Sequence, residues 1–175
     1  MRLETRAVAT FALFVSGGLL LNSPAAAQQV PKELEPPAGE QALLQVHAKG
    51  DQVYTCKATD GKFAWTLKAP DAQLSDKGGK PFGKHFEGPS WQSNDGSRVT
   101  GKAVANVPSP DGDSIPWLLL TVVSRSGDGA LTRVTSIQRI NTKGGKAPAS
   151  GCDEMHDGAE ARTAYTADYV FFAPK

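Results

Sequence analysis

Residues 85–97 read HFEGPSWQSNDGS, and this stretch decides the fold. Gly88-Pro89 marks a corner between two extended pieces, because proline fixes φ and lacks an N–H donor. Asn94-Asp95-Gly96-Ser97 reads as a hairpin turn, in which glycine takes positive φ freely and aspartate tolerates it. Trp91 precedes that turn, and Arg98, Val99 and Thr100 open the return strand. The segment is therefore antiparallel β-structure, with Trp91 as a core anchor and Asp95 as a turn builder. His85 stands apart, because Phe86 and Trp91 beside it supply the wall of a pocket.

The same signals extend in both directions. Upstream, Leu44, Val46 and Ala48 alternate with polar neighbours, and Gly50-Asp51 reads as a turn. A second strand follows at 53–56, a turn at 59–61, and a two-faced strand bearing Phe63, Trp65 and Leu67. Residues 69–84 are rich in glycine and proline and read as a long loop, with a helical turn at 70–74. Downstream, small residues at Gly101, Ala103 and Ala105 imply close approach of another element. Residues 115–124, IPWLLLTVVS, form the most apolar run and predict a strand buried on both faces. Residues 131–141 read as a strand, bulged in places, and 165–172 as a closing aromatic strand. The expected fold is all-β: a single-domain antiparallel sandwich or partly closed barrel of about eight strands, with long loops. Its expected core is Trp65, Trp117, Leu118, Leu120, Val122, Val134, Ile137 and Phe171.

The N-terminus is of another kind. Residues 1–27 carry Arg2 and Arg6, an uncharged apolar run and then Ala25-Ala26-Ala27, the pattern of a cleaved export signal. The apolar run is shorter than the roughly 20 residues of a bilayer span. The expectation is a periplasmic or secreted protein with no membrane span in the mature chain. Residues 28–41 read as an extended arm and 42–175 as the β-rich domain. Loss of 1–27 leaves basic and acidic side chains in equal number. That balance excludes nucleic acid as a partner, since phosphates require a clustered basic surface. In an exported chain, the pair Cys56 and Cys152 is most simply one disulfide; without CxxC spacing a metal reading is poor.

Two motif look-alikes fail. Residues 78–84 approach a phosphate-binding loop, but His85 stands where Ser or Thr would hold magnesium. Residues 127–132 begin like a dinucleotide fingerprint, but Thr132 replaces the third glycine and strand follows. No cofactor is expected, and the spacing of His47, His85 and His156 supports no metal. No GxSxG nucleophile is present. The ligand-binding candidates are His85, Trp91, Trp117, Arg139 and Asn141. Arg139 beside Asn141 suits a carboxylate or phosphate, against a structural ion pair from Arg139 to Asp168.

Taken together, QVYTC (52–56), APDAQL (69–74), HFEGPSW with DGS (85–97), IPWLLL (115–120), IQRINTKGGKAP (137–148) and YTADYVFF (165–172) resemble the DUF3455 domain family. The resemblance spans most of the mature chain. It implies a single exported domain of no established activity, and carries over no catalytic residues.

Three functions are therefore set side by side. The first is a binding or envelope module that takes a small organic ligand or a glycan by stacking and a few polar contacts. The second is a hydrolase- or lyase-like enzyme in which His85 acts as general base, oriented by Asp95 or Glu87. The third is a structural envelope protein without a ligand.

Overall fold

The computed structural model describes residues 29–175; the expected export signal at 1–27 lies outside them. Eight strands follow in order: β1 (Glu40–Thr59), β2 (Lys62–Ser75), β3 (Pro81–Phe86), β4 (Ser90–Ser93), β5 (Arg98–Val107), β6 (Trp117–Ser126), β7 (Ser136–Gly144) and β8 (Glu160–Pro174). Each pairs antiparallel with the next, and β8 pairs with β1, so one sheet closes into a ring. Pairing is partial in places: β2 meets β3 only from Ala72 to Ser75, and β6 meets β7 only from Leu118 to Thr121. The all-β class is as expected, and of the two forms anticipated the chain takes the barrel. Among the described residues no helix is long and apolar enough to cross a membrane.

Alternation builds the interior. Along β1, Val46, Ala48, Gln52, Tyr54 and Cys56 are buried at every second position, interrupted only by Gly50. Along β8, Tyr165, Ala167, Tyr169 and Phe171 do the same. One end of the barrel is filled by Val46, Leu74, Val99, Leu131, Val134, Ile137 and Phe171. The other end, around the β3–β4 corner, is lined mainly by aromatic and aliphatic residues with a few polar groups and stays open.

Glycines bend the sheet where it must curve. A side chain on Gly50 would place Cβ 2.1 Å from the Asp71 carbonyl oxygen, and one on Gly83 would lie 2.0 Å from that of Gln92. Neighbouring strands thus approach more closely than any L side chain permits. Gly50-Asp51 is consequently not the expected turn, and β1 runs through it unbroken.

The expected loop at 69–84 is also corrected. β2 continues to Ser75 and β3 begins at Pro81, leaving a five-residue connection at 76–80. Pro70 pairs with Gln52 in β2, before pairing with β3 begins at Ala72, an edge position where a missing N–H is tolerated. The 94–96 turn combines an N–H of Gly96 donating to Ser93 with Gly96 alone at positive φ. It is a three-residue hairpin and not the two-residue form with both central residues at positive φ.

A second apolar cluster lies on the outer face. There Leu34, from a short 3₁₀ turn (Lys32–Leu34) in the arm, is wholly buried against Trp117, Leu119 and Ile140. Gln138 donates its amide to the Leu34 carbonyl at 2.7 Å and fixes the arm. Trp65, by contrast, is half-exposed near the tip of the β1–β2 hairpin, where its indole N–H donates to the Ser150 carbonyl. It is not part of the core. Cys56 and Cys152 are joined, with Cα atoms 5.3 Å apart, tying β1 to the β7–β8 connection.

Candidate functional site

The open end holds a cavity of about 380 Å³. His85 enters its wall from β3, while the ladder neighbours Ala72, Gly50 and Tyr165 lie beyond the lining.

One wall is aromatic. His85 and Trp91 are cross-strand partners on β3 and β4, with rings stacked at 4.3 Å and 10° between planes. Tyr169 meets both edge-on, at 5.0 Å and 5.2 Å. Gly101 makes room for the indole, since a Cβ there would lie 3.2 Å from Trp91 Cζ3. This is the close approach that the small residues of β5 announced. Leu118 and Leu120 of β6 and Ala103 of β5 supply the opposite, aliphatic side.

His85 is buried, and its Nδ1 lies 2.8 Å from the Ser90 carbonyl. A carbonyl only accepts, so Nδ1 carries the proton and Nε2 keeps its lone pair. Burial drives its pKa down to about 3; the Ser90 bond opposes this and the charge of Arg139 adds to it. The imidazole is therefore neutral at physiological pH. No carboxylate contacts it among the described residues. Asp95 lies across the hairpin, at the far end of β4, accepting from Ser97 N, Ser97 Oγ and Ala130 N. Glu87 is exposed and makes no bond to His85. The expected orientation of His85 by either acid is thus not found.

Arg139 is half-buried in the cavity wall, opposite Leu118 and Tyr169. Its Nε and Nη2 donate to the Pro116 carbonyl at 3.1 Å and 2.8 Å. The expected ion pair to Asp168 is absent, because Asp168 faces outward from β8 while Arg139 faces inward. Asp168 instead takes His47 Nδ1 at 2.9 Å and Asn141 Nδ2 at 2.8 Å. Asn141 and Trp117 thereby leave the site: both belong to the outer surface of the barrel.

The remaining wall is polar. Tyr54 donates to the Gly145 carbonyl at 2.6 Å. Gln52 Nε2, Trp91 Nε1 and the hydroxyls of Tyr165 and Tyr169 are buried with no hydrogen-bond partner among the described residues. Burial raises the pKa of Tyr54, Tyr165 and Tyr169, so all three phenols stay protonated donors. Sequence reasoning found His85, Trp91 and Arg139 but missed Gln52, Tyr54 and Tyr169. The shared face of Tyr165 and Tyr169 on the last strand was the available signal. Among the described residues no three His, Cys, Asp or Glu side chains are grouped to hold a metal ion.

Residues 37–173 match the model of DUF3455, described as a protein of unknown function. No curated protein and no solved structure matches the chain.

Proposed function

The chain belongs to the DUF3455 family, and for it we propose a binding module whose barrel chamber takes a small organic ligand outside the cytoplasm. The carrying observation is the cavity itself. Protein interiors are packed to crystal-like density, and this one is packed at one end and open at the other. A chamber of this size, with apolar walls and a few convergent polar groups, has the character of a small-molecule site. Two buried donors of the lining without partners among the described residues, Gln52 Nε2 and Trp91 Nε1, strengthen the reading, since each is costly unless something accepts from it. The enclosed, strand-walled chamber favours a compact organic molecule over a glycan. The apolar run and small-residue end of 1–27, with one disulfide, support an exported setting.

Catalysis by His85 draws less support, because burial makes the ring a weak base and no acid among the described residues orients it. The experiment is native mass spectrometry on protein purified gently from its own compartment, paired with thermal shifts across a small-molecule library. A retained small-molecule mass, or a stabilising hit lost on filling the chamber with Ala103→Phe, is expected. A bare mass and no shift with any compound would overturn the proposal in favour of a ligand-free envelope role.

A further inference from the structure

We propose that the chamber selects a monocarboxylate: the carboxylate is held by Arg139, and an uncharged ring or short apolar body lies between Trp91 and Leu118–Leu120. This rests on the chamber reading above and adds the chemical class of ligand.

The charge inventory of the wall is one-sided. Arg139 and Lys68 are the ionisable cations lining the cavity, and no aspartate or glutamate lines it. Lys68 is already satisfied by Glu160 at the exposed rim. Arg139 is not: among the described residues it donates to the neutral Pro116 carbonyl, lies beside the Tyr169 hydroxyl and has no ion pair. A half-buried guanidinium without a counter-charge is costly, and a bound anion relieves that cost.

Geometry narrows the anion. Pro116 occupies the Nε–Nη2 edge of the guanidinium. The Nη1–Nη2 edge retains the parallel N–H pair that matches the two oxygens of a carboxylate. The nearby unpaired groups are of the same polarity. Gln52 Nε2 and Trp91 Nε1 only donate, and the Tyr169 hydroxyl has a proton to give. A ligand rich in acceptors satisfies all of them, whereas an amine or ammonium would face donors and a positive charge. One arginine balances one negative charge. A dianionic phosphate ester would carry a second charge into an apolar chamber with nothing to meet it, so the carboxylate is preferred over phosphate.

The test uses the oxidised protein and four probes in calorimetric titrations: benzoate, benzamide, benzyl alcohol and phenyl phosphate. Benzoate is expected to bind at least about tenfold more tightly than benzamide, the scale of a charge-assisted hydrogen-bond pair. Phenyl phosphate is expected to bind more weakly than benzoate. Arg139→Gln should abolish the preference for benzoate over benzamide. Arg139→Lys, which keeps the charge and loses the fork, should retain only part of it. Equal affinity for benzoate and benzamide in the unaltered protein overturns the inference, as does tighter binding of phenyl phosphate. Either result leaves the chamber reading standing if the neutral probes bind. Failure of all four probes removes the chamber reading and this inference together. The comparison within the unaltered protein decides the matter even if the variants fold poorly.

Discussion

The imidazole of His85 lies flat against the indole of Trp91, ring centroids 4.3 Å apart. A protonated imidazole would gain some attraction to the indole face, but it would lose its hydration entirely. Burial wins, and the native pKa falls to about 3.

The consequence is a pH-dependent stability with a fixed sign. Between the ordinary histidine value near 6.5 and about 3, the unfolded chain takes a proton at His85 that the native chain refuses. Stability is therefore undiminished above about 6.5 and falls as pH drops through that window, with a slope approaching ~1.4 kcal/mol per pH unit. Urea melts between pH 7 and pH 4.5 should show this loss. His85→Phe should flatten it, whatever its absolute stability; an unchanged slope would assign the effect elsewhere.

Gly50 sets a second expectation. Its missing side chain lets β1 pass within reach of the Asp71 carbonyl, where a Cβ would lie 2.1 Å away. Gly50→Ala must push β1 from β2 at Asp71 and Ala72, and a destabilisation of about 3 kcal/mol or more is expected. Gly61→Ala is the control. Its Cβ meets nothing within 4 Å, but φ is +75° at the hairpin tip, so only about 1 kcal/mol should be lost. Denaturant midpoints of the two variants decide between them.

Local pattern made the strands legible and long-range closure did not. The strand at 165–172 was legible from its period-two alternation, and the one at 117–120 from its continuous apolar character, because each signal lies within one short segment. Gly50 and Pro70 misled because both are normally signs of turns; here a glycine serves close strand approach and a proline sits in β2 just before that strand gains β3 as a partner. Placing a turn at Gly50 broke the pleat of β1, which hid Gln52 as an inward residue. Tyr169 joined His85 and Arg139 only through pairing of β8 with β7 and closure of the ring through β1, which no short window contains. The mistaken Arg139–Asp168 pair has the same origin. Residue type suggested it, and the opposite faces of the two side chains forbid it.

The arm is the next test. Leu34 is wholly buried on the outer face with Trp117, and it lies outside every strand. Leu34→Ala should cost about 2–5 kcal/mol of overall stability, or else release the arm alone. The two outcomes separate spectroscopically. Arm release exposes Trp117 and shifts tryptophan emission to the red, while the global unfolding midpoint stays near that of the unaltered protein.

Asp95 is a structural carboxylate. Its bonds from Ser97 and Ala130 join the β4–β5 turn to the connection before β7, and they hold its pKa down to about 2, with the Ser97 hydroxyl the largest cause. That contribution is present above about 3.8 and lost as pH falls toward 2. Asp95→Ala should destabilise by about 1–3 kcal/mol at neutral pH. It should leave the His85-dependent slope above pH 4.5 intact, whereas a His85–Asp95 pair would require the two effects to move together.

Cys56 follows Tyr54 by two residues on β1, and its bond to Cys152 holds the same β7–β8 connection to which Tyr54 donates its hydroxyl. The bond closes a separation of 96 residues, for which chain entropy predicts about 4–5 kcal/mol. Cys56→Ala with Cys152→Ala should lower stability on that scale. The double variant should also weaken benzoate binding, because Gly145 and the Tyr54 wall lose a shared anchor. Melting and titration of the double variant against the oxidised protein test both. A melt insensitive to the change would mean that the ring of strands alone fixes this connection, and that the cavity wall owes nothing to the disulfide.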